Sequence, residues 1–188
     1  MEDFIDIFRE CSALFEGHFE LRSGLHSDQF FQCANVLRYP EVAGKLCKEL
    51  VMSAKTSLVN LEVDGVVSPA LGGILVGHEI ARILNLPSIF VEKKEGDLVL
   101  RRFSIRRGDQ FIVAEDVVTR GGRVQETIDI VHQFGGNVVC VLVLVDRSGG
   151  GLDFGCPHYS LVDLSPEIYQ PATCPLCKNG CPLVHPGS

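Results

Sequence analysis

The run Phe111-Ile112-Val113-Ala114-Glu115-Asp116-Val117-Val118-Thr119-Arg120-Gly121-Gly122-Arg123 decides the fold. An apolar stretch leads into two adjacent carboxylates and then a short turn rich in Thr and Gly. Beyond the turn, Val124, Ile128 and Val131 recur at helical spacing. The pattern predicts strand, acidic pair, tight loop and helix. Gly121 and Gly122 let backbone N–H groups approach a ligand closely. The helix directs the positive end of its dipole at the same spot, so the loop suits an anion such as a phosphate. Glu115 and Asp116 fall at the carboxyl end of the strand, the ligand edge of a parallel sheet. Carboxylates do not bind phosphate, but they accept hydrogen bonds from vicinal hydroxyls. Together the features suggest a ribose 5-phosphate. The plain alternative is an ordinary strand–turn–helix connection with exposed acids.

Working outward, Val63 to Ser68 reads as a strand, Pro69-Ala70-Leu71-Gly72-Gly73 as a second glycine loop and Ile74 to Leu84 as a helix. Ser88 to Lys93 is a further strand, Glu95-Gly96-Asp97 a turn, and Leu98 to Ile105 a returning hairpin arm. Gly135-Gly136 ends the helix after the acidic pair, and Asn137 to Val145 is a β-branched run suited to a buried central strand. Pro40 opens a helix carrying Val42, Leu46 and Leu50. Phe4, Ile7, Phe8, Cys11, Leu14 and Phe15 predict an amphipathic helix. Gly17 to Cys33 reads as short strands with a loop. Strands alternating with helices imply an α/β, doubly wound, mostly parallel sheet flanked by helices. The expected organisation is one domain over 1–188: an N-terminal hood subdomain over 1–35, an α/β core over 36–170 and a Cys-containing tail over 171–188.

The chain has 188 residues, 46% hydrophobic and 22% charged, and a formal net charge of −7. That size and composition suit one soluble domain. The negative balance argues against nucleic acid as a partner. No apolar run approaches the ~20 residues of a membrane span, and Met1-Glu2-Asp3-Phe4 lacks a signal peptide's basic start, so a cytoplasmic protein is expected. An acidic enzyme of polyanions must gather its cations locally. Lys93, Lys94, Arg101, Arg102, Arg106 and Arg107 gather six of the 17 Lys and Arg residues within a short span.

The cysteine count of 8 is high for a reducing compartment, where disulfides are not expected. Cys11, Cys47 and Cys140 lie in apolar stretches and read as buried small hydrophobes. The tail differs: Cys174-Pro175-Leu176-Cys177 is half of a zinc site. Cys181 and a histidine could complete it, with Cys156, His158 and His185 nearby in sequence. His26, as a lone histidine, reads as structural or surface.

The acidic-pair run resembles the signature of the type I phosphoribosyltransferases, which bind 5-phosphoribosyl 1-diphosphate (PRPP). Within them, Gly17-His18-Phe19, Ser23-Gly24, Phe30-Phe31, Ser68 to Gly73, Val145-Asp146-Arg147 and the Cys-Pro-Leu-Cys tail resemble the orotate phosphoribosyltransferases. The resemblance implies phosphoribosyl transfer to orotate with Mg²⁺ bound through PRPP, in a homodimer. It implies that Glu115 and Asp116 hold the ribose hydroxyls. Val117, Val118, Thr119, Arg120, Gly121, Gly122 and Arg123 would hold the 5-phosphate, and Arg22, Lys93 and Lys94 the diphosphate. Phe30, Phe31, Thr119 and Arg147 would hold orotate, with Arg147 at the carboxylate. Many relatives carry a longer loop after Lys94. Here the short basic segment makes Lys94, Arg101 and Arg102, with Asp116, the expected catalytic set. A transferase for another base, or a PRPP-sensing regulator without catalysis, are the competing expectations.

Overall fold

The computed structural model describes residues 4–21, 23–59 and 62–186. In chain order these form α1 (Phe4–Glu10), β1 (Leu14–Glu20), β2 (His26–Phe31), α2 (Ala34–Leu37), α3 (Pro40–Ser53) and α4 (Lys55–Leu58). Then follow β3 (Gly65–Pro69), α5 (Gly72–Leu84), β4 (Ser88–Lys94), β5 (Asp97–Val99), β6 (Gln110–Val118), α6 (Gly122–Gln133) and β7 (Asn137–Asp146). The chain closes with β8 (His158–Asp163), β9 (Ile168–Tyr169) and α7 (Pro175–Lys178). The chain divides into two compact units: residues 1–36 with 165–188, and residues 37–164. Among the described residues no helix is long and apolar enough to cross a membrane.

The larger unit is built on a sheet of order β5-β4-β3-β6-β7-β8. All neighbours are parallel except the β4–β5 hairpin. β7 owes its interior place to an unbroken apolar run, residues 138–145, whose last six residues are all buried, the composition that a strand covered on both faces needs. Alternate residues serve the two faces. Val67, Val113, Val141 and Val143 pack with Val124, Ile128 and Val131 of α6. On the other face Gly77 of α5 lies so close to Ser68 and Val66 that a Cβ there would overlap the Ser68 hydroxyl. Helices on both faces make the sheet doubly wound, as the alternation predicts. The chain steps from β3 outward to β4, then crosses back to place β6 on the other side of β3. The strand order therefore reverses between β3 and β6, and ligands of such sheets bind at the carboxyl ends of strands at that point.

The smaller unit holds an antiparallel sheet of order β1-β2-β9. Here the predicted first helix is corrected. It stops at Glu10, Ser12 takes a left-handed φ of 53°, and Ala13 N–H closes the end on Phe8 C=O at 2.7 Å. Leu14 and Phe15, which extend the helical spacing, instead open β1 and pair with Phe31 and Phe30. The predicted hairpin arm is also shorter. Glu95 and Gly96 both have positive φ, as a two-residue hairpin turn requires, but only Asp97–Val99 pairs with β4. β8 has just two adjacent aliphatics, Leu161 and Val162, and gains its strand form from pairing with β7.

Candidate active site

The two glycine loops meet at the switch point. Gly72 opens α5, and a Cβ there would overlap the Asp116 carboxylate. A Cβ on Gly73 would lie 2.8 Å from Glu115 Oε1. The glycines of the first loop thus make room for the acids of the second. The N-terminus of α5 faces both carboxylates with the positive end of its dipole. Arg123 Nη1 donates to Ala70 C=O at 2.8 Å and ties the two loops together. Glu115 is only 5% exposed, and burial holds its carboxyl well above the usual carboxylate range, with the negative charge of Asp116 adding to the effect. Asp116 is half-buried and opens toward solvent. The pair is therefore unequal: one buried acid whose surroundings favour its protonated form, one more accessible acid.

The loop between β6 and α6 is held from beneath. Gly121 has a φ of 73°, and a Cβ on it would press on Phe154 at 3.0 Å and Leu152 at 3.1 Å. Thr119, Arg120, Gly122 and Arg123 are exposed above this floor, and the first-turn N–H groups of α6 point out of the helix end. Val118 differs from its predicted phosphate-binding neighbours. Its side chain is in the core, and its carbonyl accepts Arg147 N–H at 2.8 Å. That bond sets Arg147, at the end of β7, beside the loop. Asp146 fixes the same strand end. Its buried carboxylate accepts Ser148 N–H at 2.7 Å and stands 3.3 Å from His158 Nε2, while its carbonyl accepts Leu164 N–H at 2.7 Å.

The basic residues divide. Lys93 and Lys94 end β4, on the same edge of the sheet as Asp116, and are exposed. Arg102 Nε donates to Glu92 at 3.1 Å and Arg101 lies 3.7 Å from the same carboxylate, so these two enter the edge with an acid already attached. Arg106 and Arg107 do not join them. They precede β6, where Gly108 N–H donates to Gly135 C=O beyond the end of α6. They therefore sit at the amino edge of the parallel strands, opposite the acidic pair.

In the smaller unit Phe31 is 6% exposed and packs on Phe8 with ring centroids 5.6 Å apart, so its ring is occupied in that unit's core. Phe30 is half-buried between Phe15 and Phe19. Arg22 lies outside the described residues. Of the predicted zinc residues, Cys174 and Cys177 come together with His18 and His26, and their ligating atoms all lie within 4.8 Å of one another. The Cys181 thiol is not in the group, and the residue contributes its carbonyl to His18 Nδ1 instead. The other nearby candidates are engaged elsewhere: Cys156 against the larger unit's core, His158 with Asp146, and His185 with Glu20 at 3.1 Å. Sequence reasoning gave His18 no role and read His26 as structural or surface without finding its partners, because partners some 150 residues away leave no local pattern.

No family model matches the chain. It is 47% identical over 187 residues to the orotate phosphoribosyltransferase of Carboxydothermus hydrogenoformans, covering 99% of this chain and 97% of the relative. It is 44% identical to the Thermotoga maritima enzyme of the same name, covering 97% and 96%. Its fold is similar to the crystal structure of orotate phosphoribosyltransferase from Aeropyrum pernix, with a TM-score of 0.74 at 22% identity over 86% of this chain and 94% of that one. It is also similar to adenine phosphoribosyltransferase from Saccharomyces cerevisiae, with a TM-score of 0.66 at 18% identity over 84% and 99%. The fold is thus common to enzymes named for different bases, whereas these two relatives of high identity are named for orotate.

Proposed function

The chain belongs to the orotate phosphoribosyltransferase family, and we infer from that membership that it transfers the phosphoribosyl group of PRPP to orotate, giving orotidine 5′-monophosphate and diphosphate in pyrimidine biosynthesis. The observation that supports this chemistry best is the unequal acidic pair at the switch point, flanked by two helix N-termini.

In this reading the N–H groups of Thr119 to Arg123 and the α6 dipole hold the 5-phosphate. The Asp116 carboxylate accepts a hydrogen bond from a ribose hydroxyl. Burial and the neighbouring acid favour the protonated form of Glu115, and in that form it both donates and accepts and so fixes the orientation of the sugar. A ring nitrogen of orotate then forms a bond to C1 and gives up its proton, which the released diphosphate takes up, as the C1–oxygen bond to diphosphate breaks. Positive charge grows on the sugar ring and negative charge on the leaving group. The Asp116 charge favours the first. Lys93 and Lys94, from two strands away, favour the second. Arg147 pairs with the orotate carboxylate, where a guanidinium forms two parallel hydrogen bonds. Phe30 and Phe31 belong to the other unit and enter no step here.

Mg²⁺ takes hard oxygen ligands in octahedral geometry. Among the described residues no third carboxylate or histidine joins Glu115 and Asp116, so the donors fit an ion carried by PRPP's own oxygens rather than a protein cage. When bound, it neutralises diphosphate charge. A homodimer is part of the proposal; a solution mass of twice the chain's is expected, and a monomer's mass would refute it. The test of function is orotate consumption by the full chain with PRPP and Mg²⁺, run against adenine and hypoxanthine. Consumption of a purine in place of orotate would refute the base assignment.

A further inference from the structure

The smaller unit contains a second site with different chemistry. His18 Nε2 and His26 Nδ1 are 2.9 Å apart. Cys177 Sγ lies 3.7 Å from the first and 3.4 Å from the second, and Cys174 Sγ is 3.5 Å from His18 Nε2. We propose that these four side chains are the ligands of a structural Zn²⁺ ion that fastens the C-terminal segment to the β1–β2 hairpin.

The distances carry the assignment. Zinc binds thiolate at about 2.3 Å and imidazole at about 2.0–2.1 Å. A tetrahedral ion therefore sets its sulfur and nitrogen ligands roughly 3.5 Å apart. All three sulfur–nitrogen separations above agree with that spacing to within a few tenths of an ångström. The two nitrogens stand slightly closer than the roughly 3.3 Å a tetrahedron asks of them. Two imidazoles and two thiols converging on one point, with three of the four buried, suit a borderline-soft ion and not Mg²⁺ or Ca²⁺.

The surrounding hydrogen bonds prepare the ligands. His18 Nδ1 is 2.9 Å from the Cys181 carbonyl. A carbonyl only accepts, so Nδ1 carries the proton and Nε2 turns its lone pair toward the sulfurs. Metal-bound histidines use this outer bond to fix tautomer and ring direction. The backbone converges in the same way. A shift in the β1–β2 register between Glu16 and Phe19 sets His18 apart from regular pairing, and His26 opens β2 opposite both Glu20 and Tyr169. Cys174 caps α7, Cys177 lies within it, and Gly180 reverses the chain with a φ of 69° after donating to Cys177 C=O at 3.0 Å. Val184 then pairs with β1 on both sides of Phe19, donating to His18 C=O at 2.8 Å and accepting from Glu20 N–H at 3.0 Å. A unit of roughly 60 residues buries little core of its own, and a structural metal is a common remedy.

The test is metal analysis of the full chain purified without chelator, with Co²⁺ replacement as the spectroscopic readout. The expected result is about one zinc per chain and, on Co²⁺ loading, the visible bands of tetrahedral thiolate-ligated cobalt. Cys177→Ser, at the exposed ligand, should lose the metal and the bands. It should retain a cooperative but lower melting transition, by at least ~5 °C. Cys181→Ser, which keeps the carbonyl and removes a thiol outside the group, should keep both metal and bands. His26→Gln is the second probe should Cys177→Ser fail to fold. Metal-free protein that neither takes up Zn²⁺ nor gives cobalt bands would overturn the proposal, as would equal metal binding by Cys177→Ser and His26→Gln. A Cys174–Cys177 disulfide in freshly purified, reducing-buffer protein would also overturn it.

Discussion

The acidic edge of the large sheet and the His–Cys group of the smaller unit both gather ligating atoms, but the chain reaches them by opposite routes. At the edge, one uninterrupted run supplies strand, acids, loop and helix, while the glycines of the second loop, Lys93, Lys94 and Arg147 come from neighbouring strands and their loops. In the group, His18 and His26 are eight residues apart, and His18 meets Cys174 across a separation of 156. The donors differ as well: carboxylates and backbone N–H groups on one side, imidazoles and thiols on the other. A site made by one βα unit writes itself into adjacent residues because the unit's geometry fixes where each side chain points. A site made by bringing distant segments together is written only in the tertiary structure.

The sharpest way to break this contrast is at the residue where the edge does depend on distant sequence. Gly72→Ala places a methyl in the space of the Asp116 carboxylate. The carboxylate can swing away, so the fold should survive, but the ribose contact should not. Small displacements at reacting groups cost on the order of 100-fold, and kcat/KM for PRPP should fall by about that factor with the melting temperature little changed. Asp116→Asn, which keeps the position and removes the charge, should cost at least ~10-fold. If Gly72→Ala is as active as the parent chain, the second loop has no part in positioning the acids.

That dependence marks the limit of what the sequence disclosed. The Phe111–Arg123 run gave β6, the loop and α6 to within a few residues, because an apolar strand, paired glycines and a 3.6-residue period each have one structural meaning. It did not disclose why Gly72 and Gly73 follow Leu71, since the reason is a carboxylate on another strand. The Leu14–Phe15 error has a different cause. Two apolar residues fit either period, and the left-handed Ser12 that separates helix from strand carries no Gly or Asn to announce itself. Arg106 and Arg107 misled for a third reason. Nearness in sequence put them with Lys94, but an intervening loop returned the chain to the opposite edge of the sheet before β6.

Arg147 and the divided cations sharpen the comparison at intermediate effect. Arg147→Ala should raise KM for orotate about tenfold, near the value of one charge-assisted hydrogen bond, and move KM for PRPP far less. Equal shifts in both would remove Arg147 from base recognition. Among the cations, Arg101→Ala with Arg102→Ala should slow the chemical step several-fold in single turnovers, an effect that added salt weakens because exposed charges are screened within ~10 Å. Arg106→Ala with Arg107→Ala should leave it unchanged. A loss in the second pair as large as in the first would mean that the edges of the sheet do not separate function from surface.

The smallest effect expected is one of stability, and it tests the inequality of the acidic pair. Burial and the neighbouring Asp116 charge raise the Glu115 pKa in the folded chain above its ordinary value of 4.5. The folded state thus binds this proton more tightly than the unfolded state does. The stability associated with the protonated form is fully present below the ordinary value and declines as pH rises through the folded one. Each unit of elevation corresponds to about 1.4 kcal/mol. Glu115→Gln keeps the shape of the protonated carboxyl and cannot ionise. Its melting temperature should match the parent near pH 4 and exceed it by a few degrees at pH 8, at roughly 2–4 °C per kcal/mol for a chain of this size. Because glutamine also donates and accepts, the variant should lose less activity than Asp116→Asn. Parallel melting curves across that pH range, or a greater loss of activity than in Asp116→Asn, would show that Glu115 is the ionised member and would reverse the roles of the two acids.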